Sequence, residues 1–168
     1  MKKLIFVNTA IALIAASAAH SQPATNRDQI LGTWQAETLM VTSGGEATHP
    51  LGQHPGGFVT ITPERMWLIY VDSARKKPTS PTLTDAEAVA MFKSQVAWTG
   101  KYTVGGQTPD GIKITAHVDA ASSRALVGDD RVYFVRVDGN TITFKSPGVI
   151  VPMTGKQSVV EFEMTRSH

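Results

Sequence analysis

The chain has 168 residues, with 16 Lys and Arg against 14 Asp and Glu, 42% hydrophobic residues and no cysteine. That length suits one domain of ordinary size and leaves no room for a second. The only basic cluster is Arg75-Lys76-Lys77, in a loop, which excludes a nucleic-acid partner needing a basic face.

Lys2 and Lys3 precede an apolar run from Leu4 to Ala16 that only Asn8 and Thr9 interrupt. Small residues follow, and Ala16-Ser17-Ala18 or Ala19-His20-Ser21 fits the small-x-small cleavage rule. Residues 1–21 therefore read as a secretory signal peptide, too short and wrongly flanked for a lasting anchor. The expected product is a periplasmic or secreted domain, residues 22–168, with no integral membrane segment after signal removal. The signal carries away Lys2 and Lys3 and no acid, leaving 14 bases against 14 acids. Without a disulfide, the exported domain has to be held by its core alone.

Asn26 to Gln29 reads as a helical turn leading into a first strand from Gly32 to Thr42. Ser43, Gly44 and Gly45 open a loop, and His49 to Gly57, with two Pro and three Gly, forms a defined loop at one mouth of the molecule. Phe58–Thr62 and Met66–Val71 are strands joined by Pro63-Glu64-Arg65. Met66–Val71 is apolar or aromatic throughout, so both of its faces should be covered.

Thr84-Asp85-Ala86-Glu87 is a capping box, and Ala88, Val89, Met91, Phe92, Gln95 and Val96 follow at helical spacing. One helix of about three turns is expected, packed across the outside of the strands or capping an opening. Strands resume at Ala97–Val104. Gly111–Asp119 then alternates strictly, with Ile112, Ile114, Ala116 and Val118 on one face and Lys113, Thr115, His117 and Asp119 on the other. Arg131–Val137 and Thr141–Lys145 flank Asp138-Gly139-Asn140, a hairpin signal. In the last strand, Val159–Arg166, Arg166 shares its face with Val160, Phe162 and Met164.

Seven or eight strands, one inserted helix and short turns predict a mainly β fold, an antiparallel up-and-down barrel of about eight strands. Closure satisfies every strand edge, which suits a domain without disulfides. The ends of the chain fit this: Gly32 lets the backbone pass close beneath the Trp34 indole, and the Arg166 guanidinium can stack on that ring.

These segments, Leu31-Gly32-Thr33-Trp34, His49-Pro50-Leu51-Gly52 before Gly57-Phe58, Trp98-Thr99-Gly100-Lys101-Tyr102, His117, and Arg131-Val132-Tyr133-Phe134 before Asp138-Gly139, resemble the bacterial and fungal lipocalin-like domains of the calycin group. The resemblance runs from about Leu31 to Arg166. It implies a small barrel with an internal cavity and ligand-binding character, sealed at its floor by Gly32, Trp34 and Arg166.

Reactive groups are few. His49 and His54 share one loop and His117 lies far away on a strand, a spacing that matches no metal site, so no metal and no cofactor is expected. There is no nucleophile elbow and no phosphate loop. His117 has two readings. Lys113 shares its parity, which favours a solvated outer face; turned inward, His117 could act as an acid or base beside Tyr102 or Tyr70. Ligand-lining candidates are Tyr102, His117, Phe134 and either Trp67 or Tyr70, whose opposite parity keeps a regular strand from turning both inward. His49 and His54 sit in the mouth loop.

The first function expected is the binding of a small, mostly apolar molecule by a monomer or homodimer. The alternatives are a cofactor-free cyclase or isomerase in the same cavity, with His117 moving a proton, and a filled envelope barrel without ligand.

Overall fold

The structure is a computed structural model, and it describes residues 27–151 and 155–167. The predicted signal peptide, residues 1–21, lies outside the described residues. A turn of helix, α1 (Arg27–Ile30), leads into β1 (Gly32–Ser43), followed by β2 (Glu46–Thr48), β3 (Gly56–Ile61) and β4 (Arg65–Val71). Helix α2 (Asp85–Lys93) comes next, then β5 (Gln95–Thr108), β6 (Gly111–Ala121), β7 (Asp130–Asp138), β8 (Thr141–Lys145), β9 (Val149–Ile150) and β10 (Gln157–Arg166).

Eight of these strands run in the order β1-β3-β4-β5-β6-β7-β8-β10, and β10 pairs back onto β1 to close an antiparallel barrel. The expected up-and-down barrel with one inserted helix is the observed fold. Period-two alternation builds its wall: Met66, Leu68 and Tyr70 of β4 and Ile112, Ile114, Ala116 and Val118 of β6 are all buried. Removing side chains of this size from water stabilises the fold by about 1.5–3 kcal/mol each for the larger ones.

Two short ribbons extend the wall beyond what the sequence pattern suggested. Gly44 and Gly45, at φ 58° and 87°, do not open a loop but turn a two-residue hairpin that lays β2 along β1. Both central residues lie in the left-handed region, which a type I′ turn requires. β9 adds to the upper end of β10. The Asp138-Gly139-Asn140 turn joins β7 and β8 as expected, with Asp138 opposite Thr141.

Helix α2 is shorter and less buried than its spacing implied. Its capping box forms, with Thr84 Oγ1 accepting from Glu87 N and the Glu87 carboxylate accepting from Thr84 N. It ends at Lys93, capped by Ser94, and Gln95 and Val96 open β5 instead. None of its residues is buried, and it leaves the outer face of β4 uncovered, where Trp67 is 42% and Ile69 44% exposed beside Phe58 on β3.

The two barrel ends differ. At the floor, Trp34 is fully buried and its indole N–H donates to Ile30 O at 2.9 Å. The Arg166 guanidinium lies over that ring and donates to Leu31 O and Gln29 O, each at 2.9 Å. Tyr102 donates its hydroxyl to Thr62 O at 2.7 Å on the same side. The opposite end is built by the β1–β2 hairpin, the 49–55 loop, α2, the turn after β6 and β9. It stays hollow.

A candidate ligand-binding cavity at the open end

The cavity follows from strand parity at the upper rim. In β7, Arg131 shares the inward face with the buried Tyr133 and Val135. In β1 a bulge at Glu37 breaks the alternation, so that after Trp34 and Ala36 it is Leu39 and Val41 that turn inward. Leu39, Val41, Arg131 and Tyr133, with Trp98 of β5 and Phe162 of β10, line a cavity of about 480 Å³. That lies inside the range of small-molecule sites, about 300–1,000 Å³. Phe92 and Lys93, in the last turn of α2, stand at its opening.

Aromatic rings form the lower wall. Trp98 and Tyr133 stack with centroids 6.3 Å apart and planes 3° apart, while Phe144 and Phe162 meet Tyr133 edge-on at 5.7 and 6.0 Å. Such pairs contribute about 0.5–1.5 kcal/mol beyond their burial and hold the ring positions fixed. Burial pushes the Tyr133 hydroxyl up to about 12, with Arg131 opposing the shift, so it stays a protonated donor at neutral pH.

Several of the polar groups in the lining are already engaged. Ser146 Oγ accepts from Val160 N at 2.9 Å and donates to Pro147 O, Ser122 Oγ accepts from Ala97 N, and Gln95 Oε1 accepts from Arg75. The other polar residues of the lining are Tyr133, Ser123 and the cations Lys93 and Arg131.

The residues singled out from the sequence fall elsewhere. Of the Trp67/Tyr70 pair, Tyr70 turns inward and is fully buried, edge-on to Phe162 at 5.2 Å, but it sits outside the cavity lining. Its hydroxyl has no hydrogen-bond partner, and burial, with Glu37 nearby, raises its pKa far above the usual phenol range. Trp67 is on the outer face near Arg65. Tyr102 points inward but belongs to the floor. Phe134 alternates with the buried Tyr133 and Val135 and therefore lies outside, paired across the sheet with Lys113 and Lys145.

His117 is likewise outside, because the β6 register commits Ala116 and Val118 to the core. Its side chain is 63% exposed and its Nδ1 stands 2.9 Å from Asp130 Oδ1. An acid–base role inside the barrel is incompatible with that placement. His49 and His54 are in the loop at the mouth end, away from the cavity wall; His49 Nδ1 is buried without a partner and His54 is exposed. Among the described residues, no group of three or more His, Cys, Asp or Glu is placed to hold a metal.

Closure over eight strands, a Gly-x-Trp opening the first and an Arg returning from the last onto that Trp set the comparison with known families. The family model for the lipocalin-like domain matches residues 31–166. The chain belongs to the lipocalin-like domain family. The match begins one residue before Gly32 and ends on Arg166, so it spans the whole closed barrel, floor to rim, of this lipocalin-like domain. No curated protein and no solved structure matches the chain.

The sequence reading missed Arg131, Leu39 and Val41 as lining residues, while Trp98 and Tyr133, aromatics that could line a pocket, were left out of the chosen set. For β7 the signal was present: Arg131, Tyr133 and Val135 alternate in one register with the hairpin that follows. For β1 it was absent, because nothing in Ala36-Glu37-Thr38 announces a bulge.

Proposed function

We propose that this lipocalin-like domain is exported and binds a small, mostly apolar molecule inside the open end of its barrel. The observation that carries this reading is the cavity of about 480 Å³ walled by Leu39, Val41, Trp98, Tyr133 and Phe162. Close-packed interiors tolerate few voids larger than a water molecule, so a space of this size favours an occupant over a filled barrel. The stacked and edge-on rings supply a rigid apolar surface, and the few polar groups at the rim would orient what enters. Export rests on the Lys2-Lys3 start, the apolar run and the small residues near 16–21.

Titration with Nile red, a neutral dye whose emission rises in apolar surroundings, tests the binding. Saturable one-to-one binding that an apolar competitor reverses is the expected result. A dye that stays dark at every protein concentration would overturn the reading. Export is tested separately, by fractionating cells that express the whole chain. Mature protein starting near residue 22 in the periplasm or medium is expected, and full-length protein in the cytosol would contradict it.

A further inference from the structure

The geometry points to an acidic head on the ligand: the cavity is built for an amphipathic monoanion, its carboxylate at Arg131 and its apolar part against Trp98 and Phe162. This inference deepens the binding reading above and rests on it.

Three observations converge on the charge. First, none of the described residues lining the cavity is Asp or Glu, whereas Lys93 and Arg131 both do. Second, the Arg131 side chain is only 15% exposed, yet the carboxylate paired with it, Asp129 Oδ2, stands 3.6 Å away and is itself 52% exposed. That is too long for a hydrogen bond and leaves the guanidinium fork open toward the cavity. A largely buried cation is costly unless an anion sits against it, and the carboxylate that pairs with this one is half-exposed and beyond hydrogen-bond length. Third, Tyr133 lies two residues below Arg131 on the same inward face, about 6.5 Å along the strand. Its phenol remains protonated well above neutral pH and offers an O–H donor, never a competing anion. The guanidinium and the Lys93 ammonium at the opening can only donate, and the phenol can donate beside them, to whatever polar group the ligand carries.

A carboxylate satisfies this set: its two oxygens take the guanidinium fork, and the Tyr133 hydroxyl donates to one of them. A neutral alcohol could take one of these bonds and would leave Arg131 uncompensated. A cationic head would be repelled.

Competition against bound Nile red separates these cases, using dodecanoate and dodecanol, which share one chain and differ in the head. At low salt and about pH 7, dodecanoate is expected to displace the dye with at least about tenfold higher affinity than dodecanol, the gain typical of a charge-assisted pair. In Arg131→Gln the acid-to-alcohol ratio should fall to within about threefold of unity, while Arg131→Lys keeps part of the preference. A ratio near one in the wild-type protein, or a tenfold ratio that survives Arg131→Gln, overturns the inference and leaves the apolar-binding reading standing. If Nile red itself fails to bind, it is the broader reading that fails first. Should Arg131→Gln not fold, NMR of carboxyl-labelled dodecanoate on the wild-type protein decides. A carboxyl titration midpoint below that of the free acid supports contact with the guanidinium, and one above it overturns that contact.

Discussion

The Arg166 guanidinium carbon sits 4.0 Å from the centroid of the Trp34 ring, and the same guanidinium donates to the carbonyls of Leu31 and Gln29. One side chain from the last strand thus ties together the start of the first strand and the turn before it. Removing it loses a cation–π contact and two charge-assisted bonds. Arg166→Ala is expected to destabilise the fold by about 2–4 kcal/mol, and Arg166→Lys by about half as much. Urea unfolding measures both, and a loss below about 0.5 kcal/mol for the alanine variant would contradict the role.

Gly32 makes that arrangement possible. Its φ is +122°, where side chains are strained, and an added Cβ would lie 2.9 Å from Arg166 Nη1. Gly32→Ala should cost about 1–3 kcal/mol from backbone strain, plus whatever the displaced guanidinium loses. The two sites are therefore coupled. In a double-mutant cycle the Gly32→Ala cost should shrink in the Arg166→Ala background, whereas strict additivity would show that the contact carries no energy.

The three tryptophans report on different places. Trp34 is fully buried in the floor, Trp67 is on the outer wall, and Trp98 borders the cavity. An apolar quencher entering the barrel should therefore act on Trp98 alone. Trp67→Phe is expected to leave the bound-state quenching intact, and Trp98→Phe to remove it. Quenching that disappears with Trp67 would move the binding surface to the exposed Phe58–Trp67–Ile69 face.

The buried tyrosines make stability depend on alkaline pH. Burial raises both Tyr133, to about 12, and Tyr70, still further. The native state keeps protons that the unfolded chain releases near the ordinary phenol value of about 10. Their contribution is complete below about pH 10 and is lost as pH rises toward the folded-state values, at about 1.4 kcal/mol per pH unit for each tyrosine. Tyr133→Phe should flatten the decline in unfolding free energy between about pH 10 and about pH 11 by one tyrosine's share. An unchanged slope would show that its phenol is not shielded from water.

Helix α2 buries none of its residues, so its capping box carries an unusual share of its local stability. Thr84→Ala should speed amide hydrogen exchange in α2 by about fivefold, the worth of a typical cap, with the barrel strands unaffected. Equal protection in both proteins would mean that packing, and not the cap, holds the helix over the cavity mouth.

The barrel was legible in the sequence because its wall has one dry and one wet face. Ile112-Lys113-Ile114-Thr115-Ala116-His117-Val118 can sit in only one register without burying a charge, and the Gly32-Thr33-Trp34 and Arg166 ends mark where the wall closes. The cavity was less legible for two physical reasons. Strand β4 is apolar at both parities, so alternation alone could not choose between Trp67 and Tyr70, and the bulge at Glu37 shifts the inward set of β1 without a local signature. Which end of a barrel is hollow also depends on how large side chains meet across it. Here Trp34, Tyr102 and Met164 belong to the floor side of the core, while the rim residues Leu39, Val41 and Val160 are too small to meet. Nor did the capped helix reveal that it would leave the Trp67 face open.

The most direct test of the account is native mass spectrometry of the processed protein taken from its host, followed by extraction with organic solvent. The account predicts a stoichiometric extra mass, released by solvent, that belongs to an apolar molecule with one acidic group. A protein that runs at its bare polypeptide mass, and that also fails to take up dodecanoate or Nile red when either is supplied, would contradict it.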